Sequence, residues 1–228
     1  MPGVPERIGH RGAPREFDEN SAPGFARAIE RGADAVELDV HLSRDGLVVV
    51  HHDADVLTAD GHRRAIRELS LAELRECPLP RGGRIPTLEE AFRTVGERGT
   101  VYVELKGEGT GEPSVAVAAA HGHRYAFHAF DHATVLALRA LHPELAYGAL
   151  LDRGTRDPAG AAAALPVRDI WAHWSLVDAA LVQGVHAAGR RLIVWTVNDA
   201  AMARRLAALG VDGLCGDDVR VFPASPAG

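Results

Sequence analysis

The sequence predicts an α/β protein, a (β/α)₈ barrel built as a single domain. Three observations predict it. Short runs rich in β-branched residues alternate with Ala/Leu/Arg stretches of helical spacing along the whole chain, and strict alternation implies a parallel sheet with helical crossovers. The strand runs reduce to eight parallel positions, the number that closes a barrel, and 228 residues suits a compact one. An open doubly wound sheet is the rival, but Gly9-His10-Arg11-Gly12 leads into Pro14 and acidic residues, which is not a dinucleotide-binding loop.

In chain order the strand candidates are Arg7–His10, Ala35–His41, Leu47–His51, Val101–Lys106, Tyr125–Phe130, Leu145–Leu150, Asp169–Ala172, Leu192–Val197 and Val211–Cys215. Leu47–His51 follows the Arg44-Asp45-Gly46 turn and is expected to extend or pair with its predecessor, which leaves eight barrel positions. Helical periodicity marks Ser21–Arg31, Thr87–Glu97, His132–Leu141, Val177–Ala188 and Ala200–Leu209. Thr87-Leu88-Glu89-Glu90 reads as a capping box. Gly32, Gly99, Gly189 and Gly210 stand where helices should stop. Pro78–Gly83 and Gly107–Glu112 read as loops.

Composition narrows the function. A net charge of −6 argues against a general nucleic-acid binder. No apolar run approaches the roughly 20 residues of a membrane span, and Met1–Ile8 lacks the pattern of a secretion signal. Cys77 and Cys215 lie far apart and suggest neither a disulfide framework nor a thiolate metal site. A cytoplasmic enzyme is the expectation. Of 25 basic residues only Lys106 is a lysine. Arg replaces a surface Lys easily but not a compact ammonium in a tight site, so the survivor invites a functional reading.

Two strands carry carboxylates among aliphatic neighbours. In Val36-Glu37-Leu38-Asp39-Val40 a period of two puts Glu37 and Asp39 on one face and the aliphatics on the other. In Val101–Lys106, Glu104 and Lys106 share a face. Inside a barrel the three carboxylates would converge at the mouth, where unpaired charge is expensive and a cation is needed. Oxygen ligands favour Mg²⁺ or Ca²⁺, with Mn²⁺ the third candidate. Removing that cation should raise the pKa of at least one carboxyl. Among the 12 histidines, His10, His51 and His52 end strands and suit proton transfer. Periodicity alone does not choose between His51 and His52. Most others, such as His62, His121, His142, His186 and His123, which lies outside the residues described below, read as solvated.

These residues form an ordered series. His10-Arg11-Gly12, Glu19-Asn20-Ser21, Gly32-Ala33-Asp34, Glu37-Leu38-Asp39-Val40, Arg44-Asp45-Gly46 and His52-Asp53 are followed by Ile85-Pro86-Thr87-Leu88-Glu89-Glu90, Glu104-Leu105-Lys106, Phe130-Asp131, Trp195-Thr196-Val197-Asn198 and Gly210-Val211-Asp212-Gly213. The series resembles the glycerophosphodiester phosphodiesterases over nearly the whole chain. The resemblance implies a TIM barrel over residues 1–228, with 53–84 as a short insertion capping the site. It implies metal-dependent hydrolysis of small-molecule glycerophosphodiesters to sn-glycerol 3-phosphate and an alcohol. It makes His10 and His52 the acid/base pair, Glu37, Asp39 and Glu104 the ligands of one divalent cation, and Arg11 and Lys106 the phosphate contacts. Trp195 is a candidate pocket wall.

The chain departs from the family pattern in three places. Ala54–Gly61 lacks an Arg-Thr pair, Leu214-Cys215-Gly216-Asp217 stands where Thr-Asp and a following Pro are usual, and His128-Ala129 precedes Phe130 where a Ser is common. Two alternatives compete. A related barrel acting on intact lipids would favour an apolar rim, and a non-catalytic phosphodiester-binding barrel would have lost a histidine or carboxylate of the set. All five are present.

Overall fold

The computed structural model describes residues 3–122 and 124–223. Strands β1 (Glu6–His10), β2 (Ala35–Leu42), β6 (Thr100–Leu105), β7 (Tyr125–Ala129), β8 (Tyr147–Leu151), β9 (Asp169–His173), β10 (Arg191–Trp195) and β11 (Gly213–Gly216) pair in parallel. β11 pairs with β1, and β1 with β2, so the sheet closes. Strand β3 (Val48–Val50) lies antiparallel to β2, as the Arg44-Asp45-Gly46 turn requires. Between the barrel strands run α1 (Ala22–Glu30), α2 (Leu71–Arg75), α3 (Leu88–Val95), α4 (Gly111–His121), α5 (His132–Leu141), α6 (Pro158–Ala164), α7 (Ala179–Ala187) and α8 (Ala200–Leu209). No described helix is long and apolar enough to cross a membrane.

Strand alternation sorts the core into two layers. Val36, Leu38 and Val40 of β2 pack outward, with Phe25 of α1 and Leu88, Ala91 and Phe92 of α3. Ile8, Ala35, Tyr102, Trp171, Ile193 and Cys215 fill the interior. Glu37 and Asp39 follow Ala35 on the inward face and are buried. Tyr102 closes the amino-terminal end: its hydroxyl donates to Glu6 at 2.8 Å and accepts from Arg191 at 3.1 Å. The cavity of about 770 Å³ at that end is therefore rimmed by paired charges.

The capping box holds: Glu90 N donates to Thr87 Oγ1 at 3.1 Å and Thr87 N to Glu90 Oε2 at 2.9 Å. Such a cap contributes about 1 kcal/mol. The structure departs from the sequence reading at several places, the following among them. Gly96, at φ 57°, ends α3, whereas Gly99 is extended at φ −152°. Helix α4 begins inside the stretch read as a loop at Gly107–Glu112. Its run Val115-Ala116-Val117-Ala118-Ala119-Ala120 is apolar on every side, so no periodic face marked it. The segment after Asp53 carries an unforeseen hairpin, β4 (Asp55–Leu57) with β5 (Arg63–Ala65). Together with α2 it encloses a small core of Val49, Val56, Ile66, Leu69, Leu74 and Ile85.

Candidate active site

The candidate residues meet at the carboxyl ends of the barrel strands, where such barrels carry their sites. His10 ends β1, and the chain then turns sharply at Arg11, whose φ is 54°. A left-handed non-glycine conformation costs of order 1–3 kcal/mol. Two contacts hold it. Arg11 N donates to Glu37 Oε2 at 3.2 Å, and Asn20 N donates to Arg11 O at 3.0 Å. Asn20 Nδ2 in turn donates to Asp39 Oδ2 at 2.8 Å. The Arg11 guanidinium thereby reaches Glu19 at 3.0 Å and Asp39 at 3.3 Å.

The carboxylates differ in their environments. Burial raises Asp39, but Arg11, Lys106 and the Asn20 hydrogen bond outweigh it and hold the group below its ordinary value. Burial pushes Glu104 up to about 7, with Asp39 adding repulsion that Lys106 only partly offsets. Glu37 lies well above its ordinary value for the same reasons, burial first and then Asp39 and Glu104. Burial and mutual repulsion of neighbouring carboxylates both push in this direction. Lys106, one residue beyond β6, places Nζ 3.3 Å from Glu104 and 3.5 Å from Asp39.

Each proposed proton carrier is held by an acid. His10 Nδ1 lies 2.8 Å from Asp217 Oδ1. Asn198 Nδ2 donates to Asp217 Oδ2 at 2.7 Å, and Asp217 N donates to Asn198 Oδ1 at 2.8 Å. Burial raises Asp217, but His10, Asn198 and Arg11 bring it below its ordinary value. His52 Nδ1 lies 2.8 Å from Asp53 Oδ1, and His41 Nε2 reaches the His52 carbonyl at 3.2 Å. Burial holds His41 below the usual histidine range, so the ring is neutral near pH 7 and can donate this bond. His51 is tied by its backbone N to Asp39 O at 3.0 Å, and burial also lowers its ring. Trp195 donates through Nε1 to Trp171 O at 3.2 Å and meets Phe130 edge-on at 5.5 Å.

A small cavity of about 20 Å³ lies under His10 and Trp195, bordered by Glu37, Glu104 and His128. That is room for one ion or one water. One donor atom from each of Glu37, Glu104 and His128 lies within 4.8 Å of the others, and all three residues are buried. The donor set fits a divalent cation. Four residues here carry no role in the sequence alone: His128 stands out only as a departure from pattern, Asp217 only within an altered strand end, Asp53 only as the neighbour of His52, and His41 is a histidine on an alternating strand with no other signal.

A closed barrel with buried carboxylates, two acid-held histidines and two cations at one mouth has the make-up of a phosphate-ester hydrolase. The Glycerophosphoryl diester phosphodiesterase family matches residues 10–221. A glycerophosphodiester phosphodiesterase of Caldanaerobacter subterraneus subsp. tengcongensis is 29% identical over 92% of this chain and 93% of its own. An Oleispira antarctica phosphodiesterase, solved with its product sn-glycerol-3-phosphate, superposes with a TM-score of 0.84 at 28% identity, covering 96% of this chain and 95% of that one. The glycerophosphodiester phosphodiesterase of Thermotoga maritima gives 0.79 at 29% identity, covering 97% and 98%. The chain belongs to the glycerophosphoryl diester phosphodiesterase family.

Proposed function

We propose that the protein hydrolyses glycerophosphodiesters to sn-glycerol 3-phosphate and an alcohol, with a divalent cation held by Glu37, Asp39 and Glu104. The observation that carries this reading is the pair of acid-held histidines beside a carboxylate cluster whose charge is only partly compensated, in a chain of this family. When bound, the cation supplies positive charge to the phosphoryl oxygens. Arg11 and Lys106 add to that charge and orient the phosphate. Asp217 fixes His10 through Nδ1 and leaves Nε2 for proton transfer; Asp53 does the same for His52. One histidine takes a proton from the attacking oxygen as it bonds to phosphorus, whether that oxygen is water's or that of a glycerol hydroxyl giving a cyclic phosphate that water then opens. The other protonates the alcohol oxygen as the opposite P–O bond breaks.

The segment 53–84 caps the site in this reading. A cavity of about 460 Å³ between its hairpin and the end of β6 is lined by His41, Asp55, Ile66, Arg67, Lys106 and Glu108, and it would receive the alcohol. Two buried, unpaired cysteines accord with a cytoplasmic location. The test is sn-glycerol 3-phosphate release from a panel of glycerophosphodiesters after chelation and add-back of Mg²⁺, Ca²⁺ or Mn²⁺. Release from none of them, with any ion, overturns the reading.

Lys106 gives a sharper expectation. Its ammonium bridges Asp39 and Glu104 at the mouth. Arg keeps the charge but brings a bulkier planar head with different donor geometry. Lys106→Arg should lose at least about tenfold in kcat/KM, one 1.4 kcal/mol step, with an unchanged thermal melt at saturating metal. Wild-type kcat/KM would show that the lysine is a snorkelling surface residue.

A further inference from the structure

The ligand set read from the sequence is all oxygen, but the structure brings a nitrogen to the same cavity. His128 lies on β7 opposite Glu104 of β6 in register, so it shares the inward face. Its residue is 1% exposed. Its ring stacks on Trp171 at 4.3 Å and 7°, and Tyr102 meets it edge-on at 6.5 Å. Gly148, its register partner on β8, makes the stack possible: a Cβ there would stand 2.8 Å from the Trp171 ring and 3.1 Å from His128 Cβ. The ring plane is thus fixed by packing on both sides.

Neither nitrogen of this ring makes a hydrogen bond among the described residues. Nδ1 is buried without a hydrogen-bond partner. Nε2 stands 3.8 Å from Glu37 Oε1, beyond hydrogen-bond length. Buried imidazole nitrogens are ordinarily satisfied, and an unpaired one points to an absent partner. Donors that share one cation at roughly 2.0–2.4 Å lie no more than about 4.8 Å apart, and the donors of Glu37, Glu104 and His128 meet that limit. Asp39, by contrast, already accepts from Asn20 and pairs with Arg11 and Lys106.

We infer that His128 is a further, nitrogen ligand of the cation held by Glu37, Asp39 and Glu104, and that it biases this site toward Mn²⁺, Co²⁺ or Zn²⁺ over Ca²⁺ and Mg²⁺. Imidazole suits the first-row transition ions, whereas Ca²⁺ and Mg²⁺ prefer oxygen. The inference rests on the proposed metal centre and adds a ligand and a selectivity to it.

The test uses the full chain stripped of metal. Calorimetric titration with Mn²⁺ and with Ca²⁺ is compared for wild type, His128→Gln and Glu104→Gln, and Co²⁺ is added to read its visible absorption. Wild type should bind Mn²⁺ more tightly than Ca²⁺. His128→Gln should weaken Mn²⁺ by roughly 10–100-fold or more, at least the loss expected for an outer-shell partner, shift the Co²⁺ bands and change Ca²⁺ affinity little. Glu104→Gln should weaken both ions. An unchanged Mn²⁺ affinity and Co²⁺ spectrum in His128→Gln, with binding lost in Glu104→Gln, would remove His128 and leave the metal centre standing. Wild type that binds no divalent ion would remove both. Should His128→Gln fail to fold, electron spin-echo of Mn²⁺ in the wild type decides: a ¹⁴N coupling that survives His10→Ala supports the ligand, and its absence overturns it.

Discussion

His10→Ala and His52→Ala are each expected to lower kcat by roughly 10²–10⁴-fold, the span of a positioned acid or base, while His51→Ala does far less. The two residues are held alike. Each presents Nδ1 to a carboxylate at 2.8 Å, Asp217 for His10 and Asp53 for His52. That arrangement selects one tautomer and leaves Nε2 free to exchange a proton. His51 has no such acid in hydrogen-bond contact among the described residues, and its backbone rather than its ring is tied to the site. The measurement is kcat across pH for the three variants, with melts to show that each stays folded. His51→Ala proving as damaging as His52→Ala would reverse the choice between the neighbours. Full activity in all three would dismiss proton transfer by these rings. Asp217→Asn separates positioning from chemistry: the amide keeps the shape but has a single acceptor oxygen, so it cannot accept from both His10 Nδ1 and Asn198 Nδ2. It should lower kcat more than it changes KM.

Much of this site was legible because strand alternation is a strong constraint. Once Val36, Leu38 and Val40 face the helices, Glu37 and Asp39 must face inward, and the same parity carries Glu104 and Lys106. The Arg44-Asp45-Gly46 turn left open whether the next run extends β2 or pairs with it, and β3 folds back on β2. What sequence could not show was contact between distant elements. Asp217 meets His10 across the closure of the barrel. His128 gains meaning only when β7 is set beside β6 and Gly148 opens the space for its ring. Helix α4 was hidden for a different reason: an apolar stretch without a polar face has no period to detect. The hairpin of β4 and β5 is short, and its alternation spans only three residues per strand.

The carboxylate cluster should cost the metal-free protein stability as pH rises from 5 to 8, and a saturating divalent cation should reverse that loss. Burial and neighbouring carboxylates push Glu104 up to about 7 and hold Glu37 well above its ordinary value. Between the ordinary carboxyl range near pH 4.5 and pH 7 the unfolded chain ionises while the folded one keeps its protons. The folded state then binds more protons than the unfolded, so stability falls with rising pH through that window. Asp39 works in the opposite sense below this range, and the buried rings of His41, His51 and His128, which burial holds below the ordinary histidine value, do so within it, so the cluster's own slope is the difference between wild type and Glu104→Gln. A cation binding the ionised cluster supplies the missing counter-charge. At a concentration 100-fold above its Kd it adds about 2.7 kcal/mol, or roughly 5–10 °C in Tm for a chain of this size. Its removal should also cost roughly 10³-fold in turnover, the scale of several kcal/mol of charge stabilisation. Glu104→Gln isolates the cause: the neutral amide should raise the metal-free Tm at pH 8, flatten the pH slope and blunt the response to cation. A metal-free pH slope that is the same in wild type and Glu104→Gln would mean that Lys106 and Arg11 already neutralise the cluster, and that these carboxylates need no further cation.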